Sequence, residues 1–317
     1  MVMRKTLDQR LEERGISRRE FMKFAGTITT VMGLSPYTLP QVAEVMASPM
    51  ARPSVVWLHF AECTGCTESF LRSTYPWIRE ILLEVISLDY HETLMAAAGK
   101  QAEEILKTTL EENKGKFICI VEGGIPTKDQ GVYGRIGGRT MLEIAKEVCS
   151  DALATICVGN CACFGGIQAA TPNPTGTKSV SEATGIQTIN ISGCPPNTVN
   201  MVATVVYYLL FNKLPEVDEY GRPLFAFGKT IHEQCPRRAH YDAEEFVVKF
   251  GDEGHRKGWC LYQVGCKGPV TYNNCPIAKF NDGISWPVQA GHPCVGCSEP
   301  GFWDDMTPFY GEETMSV

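Results

Sequence analysis

Residues 54–70, SVVWLHFAECTGCTESF, set an unbroken apolar run against a cysteine pair and then a helix-forming stretch. A short Val/Leu/Trp run with no polar alternation is what a strand buried on both faces looks like, and such strands belong to parallel sheets wrapped by helices. The pattern recurs along the chain. FICIVEGG (117–124), ATICVGN (154–160) and TINISG (188–193) read as further strands. The stretches 68–85, 139–149 and 197–214 read as helices between and after them. This alternation from Ser54 to Leu214 predicts an α/β fold with a flavodoxin-like, doubly wound parallel sheet.

Beyond Leu214 the character changes to Gly, Pro, His and Cys, with few periodic segments. Such a region needs something other than a sheet to hold it, and bound metal would serve. The boundary falls in PEVDEYGRPLFAFG, residues 215–228, giving a sheet domain at 48–220 and an irregular C-terminal domain at 221–317.

Of the 317 residues, 44% are hydrophobic and 21% charged, so the chain is long enough for one large or two ordinary globular domains. Residues 1–47 hold seven Lys/Arg against five Asp/Glu, leaving 22 against 31, a net −9, for the rest. An acidic body argues against nucleic acid and for a basic partner. At the N-terminus, Ser17-Arg18-Arg19-Glu20-Phe21-Met22-Lys23 precedes the mildly apolar run FAGTITTVMGL, which Ser35, Pro36 and Pro40 stop too early for a membrane span. That is the layout of a twin-arginine export signal, with Val45-Met46-Ala47 as a small-residue cleavage site. Residues 1–47 are accordingly left out of the fold expectation. The mature chain is expected in the periplasm, exported already folded, with no membrane span.

Fourteen cysteines in an exported protein would ordinarily suggest disulfides. Their spacing suggests ligands instead, because Cys63/Cys66 and Cys294/Cys297 are chelating C-x-x-C pairs. Cys63, Cys66, Cys161 and Cys194 all stand just past the carboxyl ends of expected parallel strands, where open α/β sheets bind ligands. Each also stands where a helix can begin, and glycines 65, 159, 165, 166 and 193 let backbone come close. One pair plus two remote single cysteines favours an iron–sulfur cluster over structural zinc, which is usually built from two neighbouring pairs.

The second half carries His232, Cys235, Cys260, Cys266, Cys275, Cys294 and Cys297. Seven soft ligands divide into a four and a three, with other partitions open. His292 is available to complete a zinc site with the last three cysteines. Two other classes fit these residues as well: a self-sufficient ferredoxin-like carrier and a zinc-stabilised binding module. Cys119, Cys149 and Cys157 read as buried thiols, and Cys163 as a group standing beside a ligand.

AECTGC (61–66), VEGGIPT (121–127), GNCACFGGIQAA (159–170), SGCPPN (192–197), HEQCPR (232–237), KGWCLYQVGCKGP (257–269) and WPVQAGHPCVGCSEPGFWD (286–304) resemble the small, electron-transferring subunit of periplasmic [NiFe] hydrogenases of sulfate-reducing bacteria. The resemblance runs from the export signal to the C-terminus. It implies a proximal [4Fe–4S] cluster on Cys63, Cys66, Cys161 and Cys194, and a distal [4Fe–4S] cluster on His232, Cys235, Cys260 and Cys266. It implies a medial [3Fe–4S] cluster on Cys275, Cys294 and Cys297, with Pro287 where four-iron relatives place a fourth cysteine. The extra proximal cysteines of oxygen-tolerant members match Gly65 and Gly166, so a standard, oxygen-sensitive enzyme is implied. The Ni–Fe centre that oxidises H2 reversibly would lie in a separate large subunit, with a multihaem c-type cytochrome as electron partner. Glu62 matches a position implicated in passing protons, although a plain cap or ion-pair role is equally open. Glu233, Asp242, Glu244, Glu245, Asp252 and Glu253 suggest an acidic docking ring around His232.

Overall fold

The computed structural model describes residues 6–13, 15, 17–47, 52–73, 86–281 and 283–310. A five-stranded parallel sheet is built from β1 (Ser54–His59), β2 (Ser87–His91), β3 (Ile118–Glu122), β4 (Ala154–Val158) and β5 (Ile189–Ile191). Its order is β2-β1-β3-β4-β5, a doubly wound sheet. β1, β3 and β4 are the expected apolar runs and are buried almost throughout. The edge strand β2 lies outside the expected set. SLDYH mixes polar and apolar residues, as an edge strand half-open to water does, and so lacks the Val/Ile signature of its neighbours.

Helices cover both faces. The first three in the chain are α1 (Leu7–Glu13), α2 (Arg18–Val31) and α3 (Leu39–Met46), followed after β1 by α4 (Gly65–Leu71). Then come α5 (Lys100–Asn113), α6 (Met141–Asp151), α7 (Gly159–Phe164), α8 (Val180–Thr184) and α9 (Thr198–Phe211). α5, not among the expected helices, presents Leu106, Thr109 and Leu110 to the core. α6 starts at a capping box in which the Thr140 hydroxyl accepts from Glu143 N–H and the Glu143 carboxylate accepts from Thr140 N–H. The helix expected over 68–85 is seen to Leu71, and its remainder from 74 lies outside the described residues. The prolines after Cys194 precede the next helix instead of entering its first turn. α9 begins at Thr198, and its cap is the Asn197 side chain accepting from Val199 N–H.

One core lies between the sheet and α9, where Trp57, Ile120, Ile156 and Ile191 meet Met201, Val202, Val205 and Val206. The other lies on the opposite face, where Val56, Cys119, Val121 and Cys157 meet Leu106, Ile144 and Val148. Each fully buried side chain of this size contributes about 1.5–3 kcal/mol. The first three helices, from the stretch set aside on the sequence, are packed into the first core. Leu11, Phe21, Phe24, Ile28, Val42 and Met46 are all buried there, and α2 and α3 lie against α9.

Beyond residue 211, no described helix or strand exceeds five residues. The segment 215–228 is held by its own hydrogen bonds and by the C-terminal half. Asp218 N–H donates to Arg222 O, and Arg222, 2% exposed, reaches Glu299 of the C-terminal half at 3.0 Å. A third, small core joins Ile231, Val247, Leu261, Val264, Trp286 and Val288 to Cys266 and Cys275.

Candidate metal centres

β1, β4 and β5 deliver Cys63, Cys161 and Cys194 to one edge of the sheet. Thr64 takes a left-handed conformation (φ 62°) that turns the chain from Cys63 into α4, which carries Cys66. Cys161 lies inside α7, and Cys194 follows β5 by three residues. Asn160 locks the last two together: its N–H donates to Gly193 O and its Oδ1 accepts from Gly193 N–H, both at 2.9 Å.

Glycines cradle these sulfurs. A Cβ at Gly159 would collide with Cys66 Sγ and one at Gly166 with Cys161 Sγ, while at Gly65 it would come 3.1 Å from Cys63 Sγ. Burial, then Glu122, Cys161 and Cys194, push the Cys66 thiol well above its usual range. Burial raises Cys161 to about 11, and burial with Cys161 and Cys297 raises Cys194 to about 12. Thiols pushed up in this way, as Cys66, Cys161 and Cys194 are, become thiolates only around compensating positive charge, which iron supplies. Sulfurs on one zinc stand about 3.8 Å apart. Among the described residues no three His, Cys, Asp or Glu side chains come close enough to share a single ion. The residues fit the group the sequence implied.

Glu122, at the end of β3, is the residue the sequence reading passed over. It is 1% exposed and accepts from Cys66 N–H (2.9 Å), Thr67 N–H (3.0 Å) and Thr67 Oγ1 (2.6 Å), so it fixes the turn holding Cys66. Burial holds its carboxyl above the ordinary range. The available signal was an acid closing the apolar run FICIVE, an expensive place for a charge without a task. Glu62 accepts from Thr64 Oγ1 at 3.2 Å and meets His59 Nδ1 at 3.3 Å, while its buried Oε2 has no hydrogen-bond partner.

The distal set also converges. His232, Cys235, Cys260 and Cys266 line one small cavity with Ile231, Leu261 and Val288, and a Cβ on Gly268 would stand 3.4 Å from Cys266 Sγ. Burial, then the Arg238 charge, lower the His232 pKa and favour the neutral ring that a metal needs, and Tyr241 packs edge-on against it at 4.6 Å. In the medial set, burial and the charges of Cys297 and Cys294 hold the Cys275 thiol well above its usual range. Trp286 and Val288 are buried in the core containing Cys275, whereas Pro287 between them is exposed.

Two contacts join the sets. The Cys294 N–H donates to Cys266 Sγ at 3.3 Å, linking medial to distal. Asn160 Nδ2 further donates to Glu299 O (3.3 Å), tying the proximal side to the residue two beyond Cys297.

Both nitrogens of His292 are engaged, Nδ1 with Pro293 O at 2.8 Å and Nε2 with Tyr310 Oη at 2.7 Å, so it does not complete a zinc site with the medial cysteines. Cys119 and Cys157 lie fully buried in β3 and β4, and Cys149 in α6 has its Sγ 4.0 Å from that of Cys119. The buried Cys163 thiol donates to Cys157 O at 3.5 Å. Around His232, several of the acids are engaged locally: Asp242 pairs with Arg238, Glu245 with His240 and Glu253 with Lys257.

Residues 227–310 match the family model for the C-terminal part of the NiFe/NiFeSe hydrogenase small subunit, and residues 63–208 match that for the NADH ubiquinone oxidoreductase 20 Kd subunit. The chain is 54% identical over 306 residues to the periplasmic [NiFe] hydrogenase small subunit 1 of Nitratidesulfovibrio vulgaris Hildenborough, covering 96% of each. It is 52% identical to the periplasmic [NiFe] hydrogenase small subunit of Solidesulfovibrio fructosivorans, over 96% of this chain and 95% of that one. Among solved structures, the [NiFeSe] hydrogenase of Desulfomicrobium baculatum superposes with a TM-score of 0.77 at 40% identity, covering 82% of this chain and 99% of its own. With this fold and these cysteines, the chain belongs to the small subunits of [NiFe] hydrogenases, the electron-transfer partners of large subunits that hold the active site.

Proposed function

We propose that this protein passes electrons along three iron–sulfur sites, from a large subunit that oxidises H2 reversibly to a multihaem c-type cytochrome in the periplasm. Cys63, Cys66, Cys161 and Cys194 would hold a proximal [4Fe–4S] cluster. Cys275, Cys294 and Cys297, with Pro287 in place of a fourth ligand, would hold a medial [3Fe–4S] cluster, and His232, Cys235, Cys260 and Cys266 a distal [4Fe–4S] cluster. When bound, such clusters accept and release single electrons, at potentials set by cluster type, hydrogen bonds to sulfur and exposure.

The observation that supports this reading is the pair of hydrogen bonds, Cys294 N–H to Cys266 Sγ and Asn160 Nδ2 to Glu299 O, which tie the medial segment to the distal set on one side and to the proximal set on the other, as a row requires. The chain's own groups order that row: Asn160 and Glu122 fix the proximal loops, and Arg222 with Glu299 fixes the segment after Cys297. The exposed Cys63 and Cys194 put the entry end at the surface, where the large subunit must approach. At the exit end the carboxylates around His232 offer the basic cytochrome a docking rim, although several are locally paired. Residues 1–47 would be the twin-arginine leader, removed after export, with the sheet domain at 48–220 and the cluster domain at 221–317. No described helix is long and apolar enough to cross a membrane.

Cys194→Ser in the heterodimer tests the relay. H2-dependent cytochrome reduction should fall by an order of magnitude or more, while hydrogen–deuterium exchange in H2, which needs only the large subunit's centre, continues. Undiminished cytochrome reduction would contradict the proposed path.

A further inference from the structure

Seven consecutive residues of α9, Asn200 to Val206, are buried. A run that spans nearly two full turns points in every direction, so α9 must be covered all round. The sheet covers one side. On another lie α2 and α3, with Phe21, Phe24, Ala25, Ile28, Val31, Val42, Ala43 and Met46 buried in the shared core. The twin arginines, Arg18 and Arg19, stay exposed, whereas the end of α3 in the small-residue site is buried, with Met46 1% and Ala47 0% exposed. Cleavage there requires α3 to leave its seat first. Its departure with α2 strips an apolar face from the sheet domain, and a soluble protein seldom leaves a large patch of that kind open.

The same face borders the entry end of the relay. α2 lines a cleft of about 1000 Å³ with Phe24 and Thr27. Gly65 and Glu68 of α4, and Pro195 and Asn197 of the Cys194 loop, line the same cleft, beside the exposed Cys63 and Cys194. The active site belongs to the large subunit, so that subunit must come against this region for electrons to enter.

We propose that α2 and α3 are a removable cover for the apolar face of α9, and that the large subunit takes the same face, so that the two exclude one another there. The proposal rests on the reading of 1–47 as a leader that is removed. The docked leader keeps the unassembled chain soluble and its cleavage site shut, and assembly frees both.

Hydrogen–deuterium exchange of the full-length chain with its clusters, alone and with its purified large subunit, tests this. α2 and α3 should be protected in the chain alone and should exchange at least about tenfold faster in the complex, with α9 protected in both. Protection of α2 and α3 that survives complex formation, or is missing in the chain alone, would overturn the proposal. Ile28→Asp should undock the hairpin without touching the cluster ligands and speed association with the large subunit about tenfold. Association at or below the parent rate, with α2 seen to be undocked, would overturn it equally. The leader reading fails separately, through an Arg18→Lys/Arg19→Lys chain that is still exported and trimmed while its exchange pattern matches the parent.

Discussion

Arg222→Met should be among the most destabilising changes in the chain outside the ligands. The guanidinium, 2% exposed, donates from Nε to Asp218 Oδ2 at 2.7 Å and from one terminal nitrogen to Glu299 Oε1 and Oε2 at 3.0 and 3.1 Å. It also reaches Ser298 O at 3.3 Å and lies over the rings of Tyr220, Phe227 and Tyr272. Methionine restores part of the packing but leaves the Glu299 carboxylate, 8% exposed, with the Tyr272 N–H at 2.6 Å and no cation. Removing one partner of a buried pair costs about 3–5 kcal/mol. For a chain of this size that corresponds to a fall in thermal midpoint on the order of 10 °C near neutral pH. Burial already holds the Glu299 carboxyl above its usual range. Lowering the pH toward that raised value protonates it and shrinks the deficit. The assay compares thermal midpoints of the assembled heterodimer at one scan rate, since cluster proteins unfold irreversibly. Arg222→Met/Glu299→Gln should recover at least half the loss. A single variant within about 2 °C of the parent, or a double variant no better than the single, would refute the claim that this pair pins the two halves together.

Other consequences are checked more simply. Gly159→Ala places a methyl against Cys66 Sγ at φ 84°, so the heterodimer should lose the iron and sulfide of one cluster and its visible absorbance in proportion, with the other two retained. Pro287→Cys should convert the medial site to a four-iron cluster, removing the oxidised three-iron paramagnetic signal and lowering the medial potential. His91, 1% exposed, is held neutral by burial and then by His59, with its pKa down to about 3. Its unfolded-state pKa is about 6.5, so the unfolded chain binds the extra proton as pH falls below that value. The wild type should therefore lose about 2 kcal/mol between pH 7 and pH 5, a loss that His91→Gln abolishes when midpoints are compared across pH.

The sheet was readable because buried parallel strands advertise themselves: VVWL, ICIV and TICV have no other comfortable home. β2 was not, since SLDYH at the edge satisfies half its groups with water. The four proximal cysteines could be grouped because strand ends in a parallel sheet share one edge. The other seven candidate ligands lie on loops and single helical turns too short to show periodicity, and their partition came from family resemblance; the structure brings the distal four to one cavity. Glu122 and Arg222 escaped notice for a shared reason. A single charged residue in a strand or turn reads as surface until its burial is known. The N-terminal hairpin was set aside as a signal, yet its Phe21, Phe24, Ala25, Ile28 spacing is that of an amphipathic helix seeking a partner face.

Anomalous diffraction from crystals of the heterodimer, recorded at the iron and zinc absorption edges, bears most directly on the relay. It should show three iron sites in a row, the middle one among Cys275, Cys294 and Cys297 with three irons and its missing corner toward Pro287. Zinc at any of the three sets, four irons in the middle site, or iron at only two sites would contradict it.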